Sequence, residues 1–412
     1  MIMAMKESGI EWVGLIPDDW KIAKNNRLFN ISKQLVNENW KNTQLLSLTK
    51  SGIIEKNIND GGGKQPESFG TYQYVEKDDI VLCLFDIDVS AVFSDRSKYD
   101  GMISPAYRVM KCTDAILPVY AKWWFDAVNI GRYYLIYTKS LRKTIDADGF
   151  GNILTVVPPL SEQQSIADYL DETCSKIDEI IAEAKASIDE YEKLKQATID
   201  ENILGYDSVH IKLRQLGSLK NGLNFSHSDD VANIKFLGVG CFKDNMILSE
   251  VDDFADEHID FEISEEYLLS NGDIVFVRSN GSKELVGRSI MVENIDYPVT
   301  FSGFCIRFRN MHTELVDNRF LLYYFRTTHF KQSLLKYSND STNINNLNQE
   351  MLNAIRINAP VIAEQKLLVK KMEDQIFVFD SLITEKESLI NDLEAYKKSL
   401  IYEVVTGKRR VV

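Results

Sequence analysis

The stretch Pro158-Pro-Leu-Ser-Glu-Gln163 opens a segment that occurs twice in this chain, about 200 residues apart. Residues 157–205 align without a gap on residues 359–407, with Pro158 on Pro360 and Glu162-Gln163 on Glu364-Gln365. Repeats of about 20 to 50 residues are typical of solenoids. A much longer period with two copies indicates instead a duplicated unit made of a domain and a helix.

Each copy of the repeat has the apolar spacing of a long α-helix. Apolar residues recur three and four apart over several heptads, which is the pattern of paired helices. Prolines precede both copies, Ser161-Glu162 resembles an N-cap start, and Gly205 and Gly407 are C-terminal stop signals. A single core helix would show the same spacing, but two equal copies favour a packed pair that acts as a spacer. The predicted seam consists of Ile166, Leu170, Ile177, Leu194, Leu368, Phe379, Leu393 and Leu400.

The segments before the two helices echo each other more faintly. Residues 75–82 parallel residues 268–276, residues 104–109 parallel residues 302–307, and residues 120–125 and 320–325 are matching aromatic runs. These patterns predict strands, loops and short buried helices. The fold class is therefore α/β, with two globular domains alternating with two long helices. The predicted segments are residues 1–157, 158–205, 206–358 and 359–412.

Composition and charge exclude several classes of protein. The chain is 44% hydrophobic and 26% charged, and it has no apolar run near the roughly 20 residues of a membrane span. Its start does not have the pattern of a signal peptide, and its cysteines and histidines show no disulfide or metal-ligand spacing. A cytoplasmic protein is the simplest interpretation.

The net charge of −14 argues against a basic DNA-coating protein. Roughly eight of those negative charges lie on residues 161–204, the first helical copy. A solvated or partner-facing acidic helix does not repel DNA that docks elsewhere. The charge total is therefore compatible with a sequence-specific DNA-binding protein.

The sequence shows no catalytic constellation. Phe236-Leu-Gly-Val-Gly240 matches the glycine turn of methyltransferases, but the residues after it predict a turn where a cofactor site needs a helix. Gly61-Gly-Gly-Lys64 lacks the upstream glycine and the following hydroxyl of a phosphate loop, and we interpret it as a mobile loop. We predict no catalytic residue and no metal ligand in this chain.

Basic and polar loops carry the candidate binding residues. Arg278-Ser-Asn-Gly-Ser-Lys283 follows a buried strand, and residues 137–143 and 336–343 take equivalent places before the two helices. Arginine, asparagine and serine suit base edges and phosphates. Solvated loops without a ligand are the alternative, which the equivalent placement in two halves makes weaker. The residues predicted to bind DNA are Lys64, Lys139, Arg142, Lys143, Arg278, Ser279, Asn280, Ser282, Lys283, Arg288, Lys336, Tyr337, Asn339 and Asn343.

These motifs together resemble the specificity subunit of type I restriction-modification enzymes. The resemblance rests on residues 6–20, on the two helix starts with their Glu-Gln pairs, and on residues 272–282, and it covers essentially the whole chain. It implies two target-recognition domains and two conserved helices that form an antiparallel coiled coil. It also implies a non-enzymatic subunit that binds double-stranded DNA, two methyltransferase subunits and restriction-translocase subunits. S-adenosylmethionine, ATP and magnesium would belong to those partners, and this chain would bind no cofactor.

The predicted function is thus DNA specificity, in which each recognition domain reads one half of a bipartite asymmetric site. The helices would set the gap between the halves and dock the methyltransferase subunits. Two alternatives stay open: a fused specificity-methyltransferase or nuclease, and a coiled-coil adaptor that binds only protein. The first domain has Phe85-Asp-Ile-Asp-Val89 where the second has residues 278–283, so the sequence does not define its base-reading residues.

Overall fold

The computed structural model describes most of the chain in two compact units. The described residues are 4–32, 34–50, 52–58, 68–89, 94–138, 143–204, 209–225, 233–243, 245–279, 285–336 and 346–411. Unit 1 consists of Met1–Lys185 with Glu387–Val412, and unit 2 consists of Ala186–Lys386. Each long helix therefore contributes residues to both units.

Unit 1 is built from short strands and helices before the first long helix. The strands are β1 (Met5–Glu7), β2 (Leu15–Pro17), β3 (Lys21–Lys24), β4 (Phe29–Ile31), β5 (Leu45–Thr49), β6 (Gly52–Lys56), β7 (Gln73–Val75), β8 (Ile80–Leu82), β9 (Ser94–Arg96), β10 (Gly101–Ile103), β11 (Arg108–Cys112) and β12 (Leu154–Val157). The helices are α1 (Asn25–Leu28), α2 (Pro118–Ile130), α3 (Ala147–Asn152) and α4 (Leu160–Leu204), and the last of these continues into unit 2.

Two four-stranded sheets organise unit 1. Their strand orders are β6-β5-β10-β7 and β4-β11-β8-β9, and β5 and β10 pair in parallel. A separate antiparallel pair joins β12 to β3 directly before α4. The central strand β8 is fully buried because apolar residues occupy both of its faces. Helix α2 adds the buried rings of Tyr120, Trp124 and Phe125, which confirms the predicted aromatic helix.

Unit 2 repeats this arrangement of elements. Its strands are β13 (Val209–Lys212), β14 (Gly217–Asn221), β15 (Ile234–Leu237), β16 (Ile247–Leu248), β17 (Ala255–Glu257), β18 (Ile274–Val277), β19 (Ser289–Val292), β20 (Val299–Phe301), β21 (Cys305–Asn310) and β22 (Arg356–Ala359). Its helices are α5 (Leu213–Leu216), α6 (Asn318–Tyr324), α7 (Thr328–Leu335), α8 (Gln349–Ala354) and α9 (Ile362–Val405), and the last of these continues into unit 1.

The strand orders confirm the duplication. The sheet β14-β21-β18-β19-β16 corresponds to β4-β11-β8-β9, and the parallel pair of β15 and β20 corresponds to that of β5 and β10. The pair of β13 and β22 corresponds to that of β3 and β12. The turn before each central strand is closed in the same way, by Asp79 on the backbone N–H of Glu76 and by Asp273 on that of Ser270. The chain is thus an α/β protein with an internal pseudo-two-fold repeat.

A buried glutamine anchors the start of each long helix. The side-chain amide of Gln163 donates to the carbonyls of Ala115 and Pro158, and its Oε1 accepts from the N–H of Leu117. Gln365 makes the same three bonds, to Leu315, Pro360 and Asp317. Since Leu117 and Asp317 directly precede α2 and α6, each glutamine joins the starts of two helices. The predicted start signal Ser161-Glu162 lies inside the first turn, because α4 already begins at Leu160.

The two long helices run antiparallel in each unit. In unit 1, Nζ of Lys397 lies 2.6 Å from the carboxylate of Asp178. In unit 2, Nζ of Lys195 lies 2.5 Å from that of Asp380. Asp178 aligns with Asp380 and Lys195 with Lys397 in the sequence repeat, so the same pair of positions meets twice with the roles of the helices exchanged. This reciprocity is the signature of an antiparallel coiled coil with internal symmetry.

The buried seam of the helices differs from the predicted one at Leu194. Ile166, Leu170, Ile177, Leu368 and Leu400 are buried, and Phe379 and Leu393 are half-buried. Leu194 is 44% exposed, however, while the side chain of the neighbouring Lys195 is 25% exposed. The partly buried side chain of Lys195 takes the interface position, since a long lysine side chain can cover apolar surface while its ammonium group reaches Asp380.

Candidate nucleic-acid interface

Several segments of unit 2 converge at the carboxyl end of β18. The backbone N–H of Arg278 donates to the carbonyl of Phe304, and the carbonyl of Arg278 accepts from the N–H of Leu347. Val277 exchanges backbone bonds with Arg288 and Gly287. We call the described residues Lys243, Arg278, Ser279, Arg288 and Phe304 the β18 end. Segments distant in sequence thus present polar and basic side chains together.

The basic side chains at the β18 end are held by backbone carbonyls. Arg288 donates to the carbonyl of Lys243, and a guanidinium nitrogen of Arg278 lies 3.5 Å from the carbonyl oxygen of Gly303. Nearby, Arg326 donates to the carbonyl of Ser289. Burial and, to a smaller extent, the neighbouring charge of Arg288 together lower the pKa of Arg326 to about 10. Two guanidinium groups therefore lie close together, an arrangement that an anion such as a DNA phosphate would stabilise.

The equivalent place in unit 1 is the carboxyl end of β8, which carries different side chains. The N–H of Ile145 donates to the carbonyl of Leu84, as Leu347 does to Arg278 in unit 2. The N–H of Ile87 donates to the carbonyl of Lys143, and Arg132 donates to the carbonyl of Ile87. We call the described residues 84–88 with Lys143 the β8 end. The backbone scaffold is shared, whereas leucine, phenylalanine and aspartate replace the arginine and serine of unit 2.

The predicted DNA-binding residues fall into two groups. The structure brings Arg278, Ser279 and Arg288 together at the β18 end and places Lys143 at the β8 end. Lys336 directly follows α7, whose Leu334 lies against Gly287 in the turn before Arg288. Outside the described residues are Lys64, Lys139, Arg142, Asn280, Ser282, Lys283, Tyr337, Asn339 and Asn343.

Sequence reasoning missed Phe304, Lys243 and Arg326. Phe304 stands in an apolar-rich stretch that reads as strand core, yet its side chain is 58% exposed. The pairing of β11 with β8 and of β21 with β18 aligns Phe304 with Ala106 of unit 1. The sequence repeat could have revealed Phe304, because it aligns a large aromatic residue of the second half with a small alanine of the first. Arg326 carries no motif, and only the packing reveals its proximity to Arg288.

The described residues that could suggest enzyme chemistry have other roles. After β15, residues 239–241 form a short 3-10 turn, so the Phe236–Gly240 stretch opens no α-helix there. Burial raises the pKa of the Cys174 thiol to about 11, which disfavours a nucleophilic thiolate near neutral pH. Within the described ranges, no group of three or more His, Cys, Asp or Glu side chains is placed to hold a metal ion. In that same part of the chain, neither the long helices nor the shorter ones have the length and apolarity of a membrane span.

Comparison with known proteins gives a consistent result. Residues 207–395 match the family model of the type I restriction modification DNA specificity domain. The chain is 27% identical over 317 residues to the type I restriction enzyme MjaVIII specificity subunit of Methanocaldococcus jannaschii, a match that covers 68% of this chain and 70% of that one. It is 22% identical to the StySPI specificity subunit of Salmonella potsdam, over 61% of this chain and 57% of that one.

Solved structures share the fold. A chain from work on complex assembly and conformational transition of the type I R-M system superimposes with a TM-score of 0.74 at 13% identity, covering 96% of this chain and 99% of that one. The HsdS subunit of Thermoanaerobacter tengcongensis superimposes with a TM-score of 0.54 at 13% identity, covering 96% and 98%.

Two like-folded units with different side chains at equivalent strand ends define a class of protein that recognises DNA sequence through paired domains. The family model over residues 207–395 and the specificity subunits that this chain resembles over most of its length both point to the specificity subunits of type I restriction-modification enzymes. The resemblance seen in the sequence is confirmed. The chain is a non-catalytic subunit whose role is DNA recognition.

Proposed function

We propose that each unit reads one half of a bipartite, asymmetric DNA site, unit 2 with its β18 end and unit 1 with its β8 end. The observation that carries this proposal is the difference between the two ends on one shared scaffold. Equivalent backbone bonds from Leu347 and Ile145 hold both ends, yet unit 2 presents Arg278 where unit 1 presents Leu84. Two readers of different half-sites need such a common frame with different contacts.

At the β18 end, Arg278 and Ser279 are the candidates for base contacts and Arg288 is the candidate for a phosphate contact, with the buried Arg326 adding its charge nearby. Arginine can bind guanine bidentately through O6 and N7 in the major groove. The paired charges of Arg288 and Arg326 would gain from a phosphate, which carries no sequence information. Predicted residues outside the described ranges, such as Asn280 and Lys283, belong to the same proposal because they continue the chain from Ser279.

The helices are proposed to set the gap between the half-sites and to dock the partner subunits. Each unit contains the same Asp–Lys pair and the same glutamine anchor, so each offers an equivalent helical surface. Two methyltransferase subunits, one per unit, fit this repetition. Restriction-translocase subunits would join that complex, and S-adenosylmethionine, ATP and magnesium would bind to the partners. The domain limits 1–157, 158–205, 206–358 and 359–412 and a cytoplasmic location are part of this proposal.

The experiment that tests the proposed function is a genome-wide map of methylated adenines in the source cell, with and without the gene for this chain. The proposal predicts that one bipartite motif with a constant gap loses its methylation when the gene is absent. Restoring the wild-type gene should restore that motif. An unchanged map, or loss of an uninterrupted motif, would contradict reading by two separate units.

A further inference from the structure

Phe304 is an exposed aromatic residue that the fold holds in a fixed position. It lies in the turn between β20 and β21, where the N–H of Gly303 donates to the carbonyl of Leu223 and that of Phe304 to Oγ of Ser302. A side chain on such a turn is preorganised for contact and loses little entropy on binding.

The surroundings of Phe304 combine an apolar recess with a cation. The ring borders a pocket of about 220 Å³ whose lining includes Phe225, Phe236 and Val239. The rings of Phe225 and Phe236 pack edge to face with centroids 5.2 Å apart, which gives the pocket a firm wall. On the other side, the carbonyl of Phe304 accepts from the N–H of Arg278. The apolar surface thus lies beside the candidate base-reading arginine.

At the position equivalent to Phe304, the described part of unit 1 carries no aromatic ring. Strand pairing places Ala106 at the equivalent position, in the turn between β10 and β11. The nearest aromatic in that turn, Tyr107, is half-buried and stacks on Phe85 with centroids 6.0 Å apart. The shared scaffold therefore does not itself require an exposed ring at this position.

We propose that Phe304 contacts the 5-methyl group of a thymine next to the base pair that Arg278 contacts, and so determines part of the specificity of unit 2. In the major groove the thymine methyl is the one apolar group that marks a base pair, and phenylalanine is among the side chains that contact it. The ring of Phe304 and the adjoining pocket supply that apolar surface. This inference rests on the proposed reading of one half-site by unit 2.

The test uses the complex of this chain with its methyltransferase subunits and the DNA site found by methylation mapping. Thymines of the half-site that depends on Arg278 are replaced one at a time by deoxyuridine, which removes the methyl group and keeps the base pairing. For the wild-type complex, one replacement should weaken binding about fourfold, the value of one buried methyl group. The complex with Phe304→Ala should bind the thymine site more weakly, and its affinity should no longer change when the thymine is replaced by deoxyuridine. The complex with Phe304→Leu should retain part of that change in affinity.

Phe261→Ala is the matched control, because Phe261 is an exposed aromatic of unit 2 that does not line this pocket. It should bind and respond to deoxyuridine as the wild type does. If Phe304→Ala weakens binding while no thymine methyl matters, the ring acts by another contact, such as insertion between bases, and the proposal is overturned. A wild-type complex that prefers no bipartite sequence would overturn both the half-site reading and this inference. A bipartite preference without any effect of a thymine methyl group would overturn this inference alone.

Discussion

At the residue scale, the buried glutamines at the helix starts are the most exacting positions that the structure reveals. Gln163→Ala removes three hydrogen bonds and leaves backbone groups of Ala115, Leu117 and Pro158 without that partner. We expect a loss of about 2 to 4 kcal/mol in the free energy of unfolding of unit 1. Tryptophan fluorescence during denaturation measures it selectively, because all five tryptophans lie in the first 124 residues, within unit 1.

The chain supplies two controls for that experiment. Gln164→Ala, one residue away, removes only an exposed bond to Asp168 and should change the same free energy by less than about 0.5 kcal/mol. Gln365→Ala removes the equivalent anchor in unit 2. It should leave the unfolding transition of unit 1, followed by tryptophan fluorescence, at the same denaturant concentration as in the wild type. A Gln163→Ala transition that matches the wild type would contradict the anchoring role.

Arg278 is the residue whose replacement should separate the two half-sites. Arg278→Ala in the assembled complex should weaken binding to a site by about 1–3 kcal/mol through one half only. Arg356→Ala removes an exposed arginine of unit 2 on β22 and should leave binding unchanged. The measurement is the dissociation constant on DNA variants altered in either half. Equal effects of base changes in both halves would contradict the assignment of Arg278 to one half-site.

The sequence predicted Arg278 and Arg288 as DNA-binding residues because basic residues flank a recognisable strand, and the structure places both at the β18 end. Positions that depend on packing could not be predicted in this way. Leu194 was expected in the seam because it is apolar, whereas Lys195 occupies the interface through its stem and its bond to Asp380. Phe304 was missed because exposure of an aromatic residue depends on a turn whose geometry no local pattern encodes.

At the scale of elements, the long helices could be predicted and the sheets only in part. A helix seam repeats over many turns, so its periodicity is visible locally. The strands here have between two and six residues, too few for a clear alternation. The parallel pairing of β5 with β10 joins segments more than 50 residues apart, which sequence spacing does not reveal. The duplication nevertheless indicated which elements correspond.

The lengths of α4 and α9 should determine the gap in the DNA site. Deleting seven residues from the middle of each helix, residues 183–189 and 386–392, preserves the heptad register and shortens each by about 10 Å. At about 3.4 Å per base pair, the preferred gap should shorten by about three base pairs. Binding to a series of sites with different gaps measures this. A control that exchanges the same residues for another heptad of equal polarity should keep the original gap, and an unchanged gap in the deletion variant would exclude the spacer role.

At the scale of the whole molecule, the net charge of −14 leads us to expect that partner subunits supply much of the phosphate contact in the proposed complex. The isolated chain should therefore bind DNA far more weakly than the assembled complex does, since counterion release provides most of the non-specific affinity. Titration of labelled DNA with the chain alone and with the complex, at several salt concentrations, compares the two. Equal affinity and equal salt dependence would show that the chain itself supplies those contacts.

Binding of S-adenosylmethionine distinguishes a recognition subunit from a fused enzyme. The isolated chain should not bind labelled S-adenosylmethionine, whereas its complex with methyltransferase subunits should bind it in proportion to those subunits. Equilibrium dialysis of both samples measures the bound fraction, with the methyltransferase subunits alone as control. Stoichiometric binding by the isolated chain would favour the fused-enzyme alternative over the specificity subunit.

We propose above all that two units with one scaffold read two different half-sites. Selection of bound sequences from random DNA by the assembled complex tests it most directly, with the wild-type chain and with Arg278→Ala side by side. We expect two short motifs separated by a constant unread gap for the wild type, and loss of information in one of the two motifs for the variant. A single uninterrupted motif, or equal loss in both motifs, would contradict it.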